Sequence, residues 1–446
     1  MSKFTSVKKR SGTTVPFNRN RIMNAIYRAA VSVGGRDKGK AELLADKVIE
    51  YLEKKYDENH CMQIEEIQDA VEKILIENGH AQVAKEYILY RNERTKKRQD
   101  DAKLASRPDE NIPWPKMWRV LDWAANKNLN TIARYNQRIS NNEFPQIVHE
   151  SEAAYEDDLD MASRMILERI KNLKMVFVSG PSSSGKTTTT IKIEERLKEK
   201  GLKFVTVNVD HYFFDLEDHP KDEFGDYDFE TPQALDLQLI NEHLLKLSEG
   251  KEVKIPFYDF KEGKRYLDQT PMKLNSNEII LIDSLHGLYP NFSKAISNEV
   301  KFKIYIEPIL QMKDKSGKYI QWTDIRLMRR MLRDSVHRAY NPLQTLEHWH
   351  YVRASELRNI IPHANKADFI VNSAMPYELS LYKQKLFSHF VEWEKKFQDN
   401  PLKKDAYERA SRISKFLTEI ESFEDDSPVP NNSVIREFIG GSTYKY

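Results

Sequence analysis

Residues 175–190 read MVFVSGPSSSGKTTTT, an apolar run that breaks into small residues, a lysine and four threonines. Gly180, Ser182, Ser183, Ser184, Gly185, Lys186, Thr187 and Thr188 fill the pattern G-x-x-x-x-G-K-[ST], with a further threonine behind it. Such glycines let consecutive backbone N–H groups turn inward around phosphate oxygens, and the following helix N-terminus adds to their field. Lys186 supplies a point charge for the outer phosphates, and the Thr187 hydroxyl is placed to join the shell of Mg²⁺. The loop specifies a grip on polyphosphate, not the destination of the terminal phosphate.

Residues downstream bear on that destination. KFVTVNVD reads as a strand ending at Asp210, in the position of a carboxylate at the ligand crevice of a parallel sheet. Asp210 has two readings there, a base for an attacking hydroxyl or a helix-capping turn residue. EIILIDSLHG is a second apolar strand, and its Asp283 is a candidate for the metal shell. IPFYDF reads as a proline-broken aromatic cluster in a connecting segment, able to stack a planar base or simply to fill a core. In TDIRLMRRMLRDSVHRAY, Arg326, Arg330, Arg333 and His337 share one helical face, opposite Leu327, Met328, Met331 and Leu332. That face is either solvated or a lid that closes on transferring phosphate.

The elements that must position these groups alternate. Strands are expected at 174–179, 203–209, 278–283, 301–306 and 367–371, with helices near 186–199, 235–248, 324–338 and 342–358. TPQALD is read as the start of the second of these helices, with Pro232 placed early. The pattern predicts an α/β fold with a doubly wound, mainly parallel sheet. Ahead of it, residues 1–98 predict a small, mainly helical domain. Two short strands flank a Ser11-Gly12 turn, and helices follow from Arg19, from Lys40 to Lys54 (Leu43, Leu44, Val48 and Leu52 inward), from Ile64, and through AQVAKEYILYR. Residues 99–170 read as a connector whose NIPWPKMW suggests packing, followed by two helices. The main domain spans 171–376, and 377–446 is a helical extension with a mostly irregular tail.

Lys and Arg number 70 against 68 Asp and Glu, a net charge of +2, so nothing global points to nucleic acid or a membrane surface. The single cysteine, Cys61, allows no internal disulfide and suits a reducing compartment. The N-terminal MSKFTSVKKRSGTTVPF has no apolar core, and no apolar stretch is long enough to span a bilayer. A cytoplasmic protein is the expectation.

In that order the motifs resemble the uridine kinase/phosphoribulokinase family, nearest its uridine kinase branch. GPSSSGKTT, VDHYFFD, FETPQALD, EGKEVKIPFYDF, IILID with its HG, and RLMRRMLRD carry the likeness. PHANKADFIVNSAMPYELS and NNSVIREFIGG resemble a longer bacterial subgroup of nucleoside or uridine kinases. The resemblance implies a P-loop kinase in which Lys186 and Thr187 hold ATP with Mg²⁺ and Asp210 is the base on a 5′-hydroxyl. It also implies that Glu230 holds the ribose, that Tyr258 lies beside the base, and that Arg330, Arg333 and Arg338 serve the site and lid. The chain departs from the family at Asp283-Ser284, where Glu-Gly is usual, and at Tyr340, where an arginine is expected. It departs again at Gly263, which stands where the pyrimidine-reading members place a histidine.

Residues 1–98 resemble an ATP-cone, on VKKRSGTTVPFNRNRI, IEEIQDAVEKIL and VAKEYILYR. That likeness implies that Lys9, Arg10 and Arg21 meet the phosphates of a regulatory ATP or dATP. Both resemblances imply a homo-oligomer. The activity implied is transfer of the γ-phosphate of ATP to a nucleoside 5′-hydroxyl. A sugar-phosphate acceptor of the phosphoribulokinase type would call for basic residues after Asp210, where HYFFDLEDHP offers acids. A non-catalytic nucleotide sensor would not need a base, a metal ligand and an arginine helix in order.

Overall fold

The computed structural model of the chain describes residues 3–8, 14–57, 60, 62–91, 112–220, 227, 229–275, 277–337, 341–400 and 403–445. They form two compact units: Met1–Asp109 with Asp210–Leu237 and Pro256–Gln269, and Glu110–Val209 with Gln238–Ile255 and Thr270–Tyr446.

In the first unit, β1 (Ser6–Lys8) and β2 (Thr14–Pro16) pair antiparallel, as expected; Ser11 and Gly12 lie outside the described residues. A third strand, β3 (Met62–Gln63), joins β1 in parallel and is too short to read from sequence. Helices α1 (Arg19–Ser32), α2 (Lys38–Lys55), α3 (Ile64–Glu77) and α4 (81–91) supply the core through Ile26, Tyr27, Val48, Leu52, Val71 and Leu75. Asn18 and Asp37 cap α1 and α2 by accepting backbone N–H bonds. Leu43, expected inside, is 64% exposed, because the buried stripe of α2 runs one position further round, through Ala41, Leu44 and Ala45.

The second unit opens with three helices where two were expected: α5 (Trp114–Asn126), α6 (Ile132–Ser140) and α7 (Phe144–Glu168). WPKMW is the first turn of α5 rather than a packed connector. Trp118 is 67% exposed, and Pro115 takes an early helical position that lacks an N–H partner anyway. The sheet is made of β4 (Met175–Ser179), β5 (Lys203–Thr206), β8 (Glu278–Ser284), β9 (Lys301–Glu307) and β10 (Phe369–Asn372), in the order β10-β9-β4-β8-β5. Every pairing in it is parallel. The chain leaves β4 toward the β5 edge and returns past it to β9 and β10. The strand order therefore reverses at β4, and the phosphate loop follows β4 directly. Between β5 and β8 in the chain, β6 (Val253–Asp259) and β7 (Lys264–Met272) form a separate two-stranded ribbon. IPFYDF thus lies largely in a strand, not a connector; every strand of a two-stranded ribbon is an edge, which admits Pro256.

Helices α8 (Lys186–Glu199), α9 (Leu237–Ser248), α10 (Trp322–His337), α11 (Pro342–Asn359), α12 (Glu378–Phe397) and α13 (Lys404–Glu419) complete the unit. TPQALD is not helical at its start: Pro232–Ala234 is a single 3₁₀ turn, and Leu235 is extended and bridged to Phe213. The tail is irregular apart from α14 (Arg436–Ile439). Its Val429, Val434 and Ile435 are nonetheless buried in the same core as the sheet. No helix among the described residues is long and apolar enough to cross a membrane.

Candidate active site

The phosphate side lies wholly in the second unit. Gly185 caps α8 at φ +87°, a left-handed conformation that costs any residue with a Cβ. A Cβ there would also sit 2.5 Å from Val434 Cγ2, so the tail and the loop are fitted to one another. Asp283, next to last in β8, lies in register with Val178, and the Thr187 hydroxyl donates to Asp283 Oδ2 at 3.4 Å. An exposed hydroxyl beside a strand-end carboxylate is a hard-oxygen set that suits Mg²⁺, an ion usually held by one or two protein oxygens plus phosphates and water. Lys186, half-buried, donates to Pro181 O at 3.2 Å, arching over the loop.

The α10 arginines divide into two groups. Arg326, expected on the lid face, is buried and not free to close. It donates to Glu307 Oε1 at 2.8 Å, to both oxygens of Glu356, and to Ser182 O at 3.2 Å. Burial by itself depresses its pKa, but Glu356 and Glu307 outweigh that and hold the guanidinium above its usual value. Arg329 is equally buried on Glu378 and Ser373, and the Ser373 hydroxyl donates to Ser184 O at 2.6 Å. These two arginines brace the loop from behind.

Arg330 and Arg333 keep about a fifth of their side chains exposed. Arg330 Nη1 lies 3.1 Å from Ser182 Oγ, and both arginines engage Asp334. Glu437 of the tail accepts from the Thr188 hydroxyl at 2.9 Å and stands 4.0 Å from Arg333. The motif NNSVIREFIGG was visible in the sequence, but nothing in it assigned Glu437 to the nucleotide loop. Arg338 lies outside the described residues.

The acceptor-side candidates lie in the first unit. Asp210 is exposed, within the 3₁₀ turn Val209–Tyr212 rather than on the strand, since β5 stops at Thr206. Its neighbour His211 accepts the Tyr258 N–H at Nδ1 (3.3 Å), and burial lowers its pKa, so the ring is neutral. Tyr258 is buried among Phe213, Phe260 and His219, and burial raises its phenol pKa. Phe229, beside the half-buried Glu230, and Phe260 are 40% and 61% exposed. Gly263 has φ +66°, and a Cβ there would lie 2.8 Å from Leu216 Cβ. The position where the family resemblance calls for a histidine is closed to side chains here.

Helix α1 and the residues after it meet this same region. The Tyr27 hydroxyl donates to Asp218 O at 2.7 Å. The Arg36 guanidinium lies 3.5 Å from the centre of the Phe214 ring, whose other cationic neighbour is Arg265. Arg265 in turn pairs with Asp236 at 3.0 Å. Of the expected regulatory residues, Arg21 is half-buried on α1; Lys9 and Arg10 lie outside the described residues.

A parallel sheet with its order reversed at β4, a phosphate loop there, and a Thr187–Asp283 pair define a P-loop kinase fold. Residues 175–379 match the phosphoribulokinase/uridine kinase family, and residues 5–96 match the ATP cone domain. The uridine kinase of Borrelia duttonii (strain Ly) is 31% identical over 211 residues, 47% of this chain and 91% of that protein. The uridine kinase of Saccharomyces cerevisiae is 26% identical over 202 residues, 45% of this chain and 36% of that one. A solved structure of a possible uridine kinase from Bacillus stearothermophilus aligns at 16% identity and a TM-score of 0.34, covering 49% of this chain and 98% of that one. The chain belongs to the phosphoribulokinase/uridine kinase family and carries an ATP-cone domain ahead of its kinase domain.

Proposed function

We propose that the protein transfers the γ-phosphate of ATP to the 5′-hydroxyl of a nucleoside. Lys186, the loop amides and Arg330 and Arg333 hold and neutralise the phosphates, and Asp210 takes the proton of the attacking hydroxyl. Thr187 and Asp283 hold Mg²⁺, which supplies charge neutralisation on the phosphates. Glu230 binds ribose hydroxyls, and the aromatic residues around Tyr258 receive the base. Nucleotide bound by Lys9, Arg10 and Arg21 regulates the kinase, and the enzyme works as a homo-oligomer.

The observation that carries the acceptor assignment is the company Asp210 keeps: an exposed carboxylate in one unit with Glu230 and an aromatic cluster. ADP release against ribonucleosides, deoxynucleosides and ribulose 5-phosphate tests it. Activity with a nucleoside that falls at least ~10³-fold in Lys186→Ala is expected. Activity only with the sugar phosphate, or most activity surviving in Lys186→Ala, refutes the assignment.

A further inference from the structure

Gly263 leaves the first unit without the expected base-reading side chain, yet that unit buries a different histidine, one ring nitrogen of which has no hydrogen-bond partner among the described residues. His219 is 1% exposed. Its Nε2 lies 2.9 Å from Phe214 O, and a carbonyl oxygen only accepts, so Nε2 carries the hydrogen. In the neutral ring Nδ1 is then a bare acceptor, and it has no hydrogen-bond partner among the described residues. Burial drives the pKa down to about 4, so the ring is not protonated at neutral pH.

The surroundings of His219 are the aromatic residues already placed on the acceptor side. Its ring centre lies 4.7 Å from Phe229 and 5.3 Å from Phe213, each at a steep or moderate tilt. Tyr258 lies 6.3 Å away and nearly parallel, and Tyr227 stands edge-on at 6.5 Å. Phe229 flanks Glu230 in sequence, and Phe213 follows Asp210 by three residues. A phenylalanine or leucine would fill such a box without stranding an acceptor, whereas an unmet buried acceptor is costly in a protein that never satisfies it.

We propose that His219 is the specificity-determining residue for the acceptor's base, its Nδ1 accepting an N–H of a pyrimidine edge that enters the aromatic box. This rests on the nucleoside reading above. It assigns the role to a residue 44 positions before Gly263. The selectivity follows from lone pairs: a base offering N–H is welcomed, and one offering only ring acceptors sets two lone pairs against each other.

The test compares kcat/KM for uridine and cytidine with that for pyrimidin-2-one riboside, whose base has no N–H. The wild type is expected to prefer the N–H-bearing nucleosides by at least about tenfold. His219→Gln keeps a donor for Phe214 O but places no acceptor where Nδ1 stands, and is expected to reduce the preference to within about threefold at unchanged KM for ATP. His219→Asn, which restores an acceptor near Nδ1, is expected to recover the preference. An unchanged ratio in His219→Gln, even with lower absolute rates, means that His219 is only structural and overturns the proposal while leaving the nucleoside reading intact. A wild-type enzyme that phosphorylates only purine nucleosides overturns the proposal alone, and one that phosphorylates no nucleoside overturns both.

Discussion

Replacing Gly263 by histidine supplies the residue that the family resemblance calls for, and the structure says that this will damage the protein. At φ +66° an L-residue costs about 1–2 kcal/mol. The new Cβ would lie 2.8 Å from Leu216 Cβ, an atom one bond from the backbone that no rotamer change can move, and such overpacking costs about 1–3 kcal/mol. The sum, roughly 2–5 kcal/mol, falls on one local contact. The Leu216 N–H donates to Gly263 O at 2.7 Å and begins the turn that leads to His219. Amide exchange at Leu216 should therefore accelerate about 30- to 5,000-fold. Gly263→Ala should show nearly the whole effect, because φ and Cβ carry it, whereas Lys264→His should show none. If Gly263→His leaves Leu216 exchange unchanged or lowers the KM for a pyrimidine nucleoside, the steric argument is wrong.

Three further outcomes are expected. Glu437→Ala removes a charged acceptor of the buried Thr188 hydroxyl and should raise the KM for ATP about 5- to 150-fold, the equivalent of ~1–3 kcal/mol, while Glu437→Gln should lose less. Arg36→Ala removes the cation over Phe214, worth about 0.5–2 kcal/mol, and should raise the acceptor's KM about 2- to 30-fold with the KM for ATP unchanged in steady-state assays. His219, with its pKa pushed to about 4, binds its proton in the unfolded chain below about pH 6.5 but in the folded chain only below about 4. The stability it contributes is complete above 6.5 and is lost as pH falls toward 4, in total about 3 kcal/mol. Urea midpoints measured across that window should be flatter for His219→Gln.

The phosphate loop was legible because its chemistry is contiguous: the residues that wrap phosphate are neighbours in the chain, and the strand before and helix after them obey local patterns. The alternation of β4, α8, β8, β9 and β10 was legible for the same reason, with bounds within two residues. The β6–β7 ribbon was not, because most of β7 faces solvent and offers no apolar alternation to read. Periodicity put Arg326 on a common face with Arg330 and Arg333 but could not say what that face meets. Glu307 and Glu356, 19 and 30 residues away, turn Arg326 into an internal brace. Asp210 was singled out by its place after an apolar strand, and that strand stops sooner than its apolar pattern.

Sequence by itself thus determined the grip on phosphate, the parallel α/β layout, and the departure at Gly263. Only the tertiary structure decided which arginines are available, that the tail's Glu437 meets Thr188 across 249 residues, and that His219 Nδ1, without a partner among the described residues, stands among the aromatic rings. The physical reason is common to all three. Burial and hydrogen-bond satisfaction are properties of what surrounds a side chain, and here those surroundings are supplied by segments far apart in the chain.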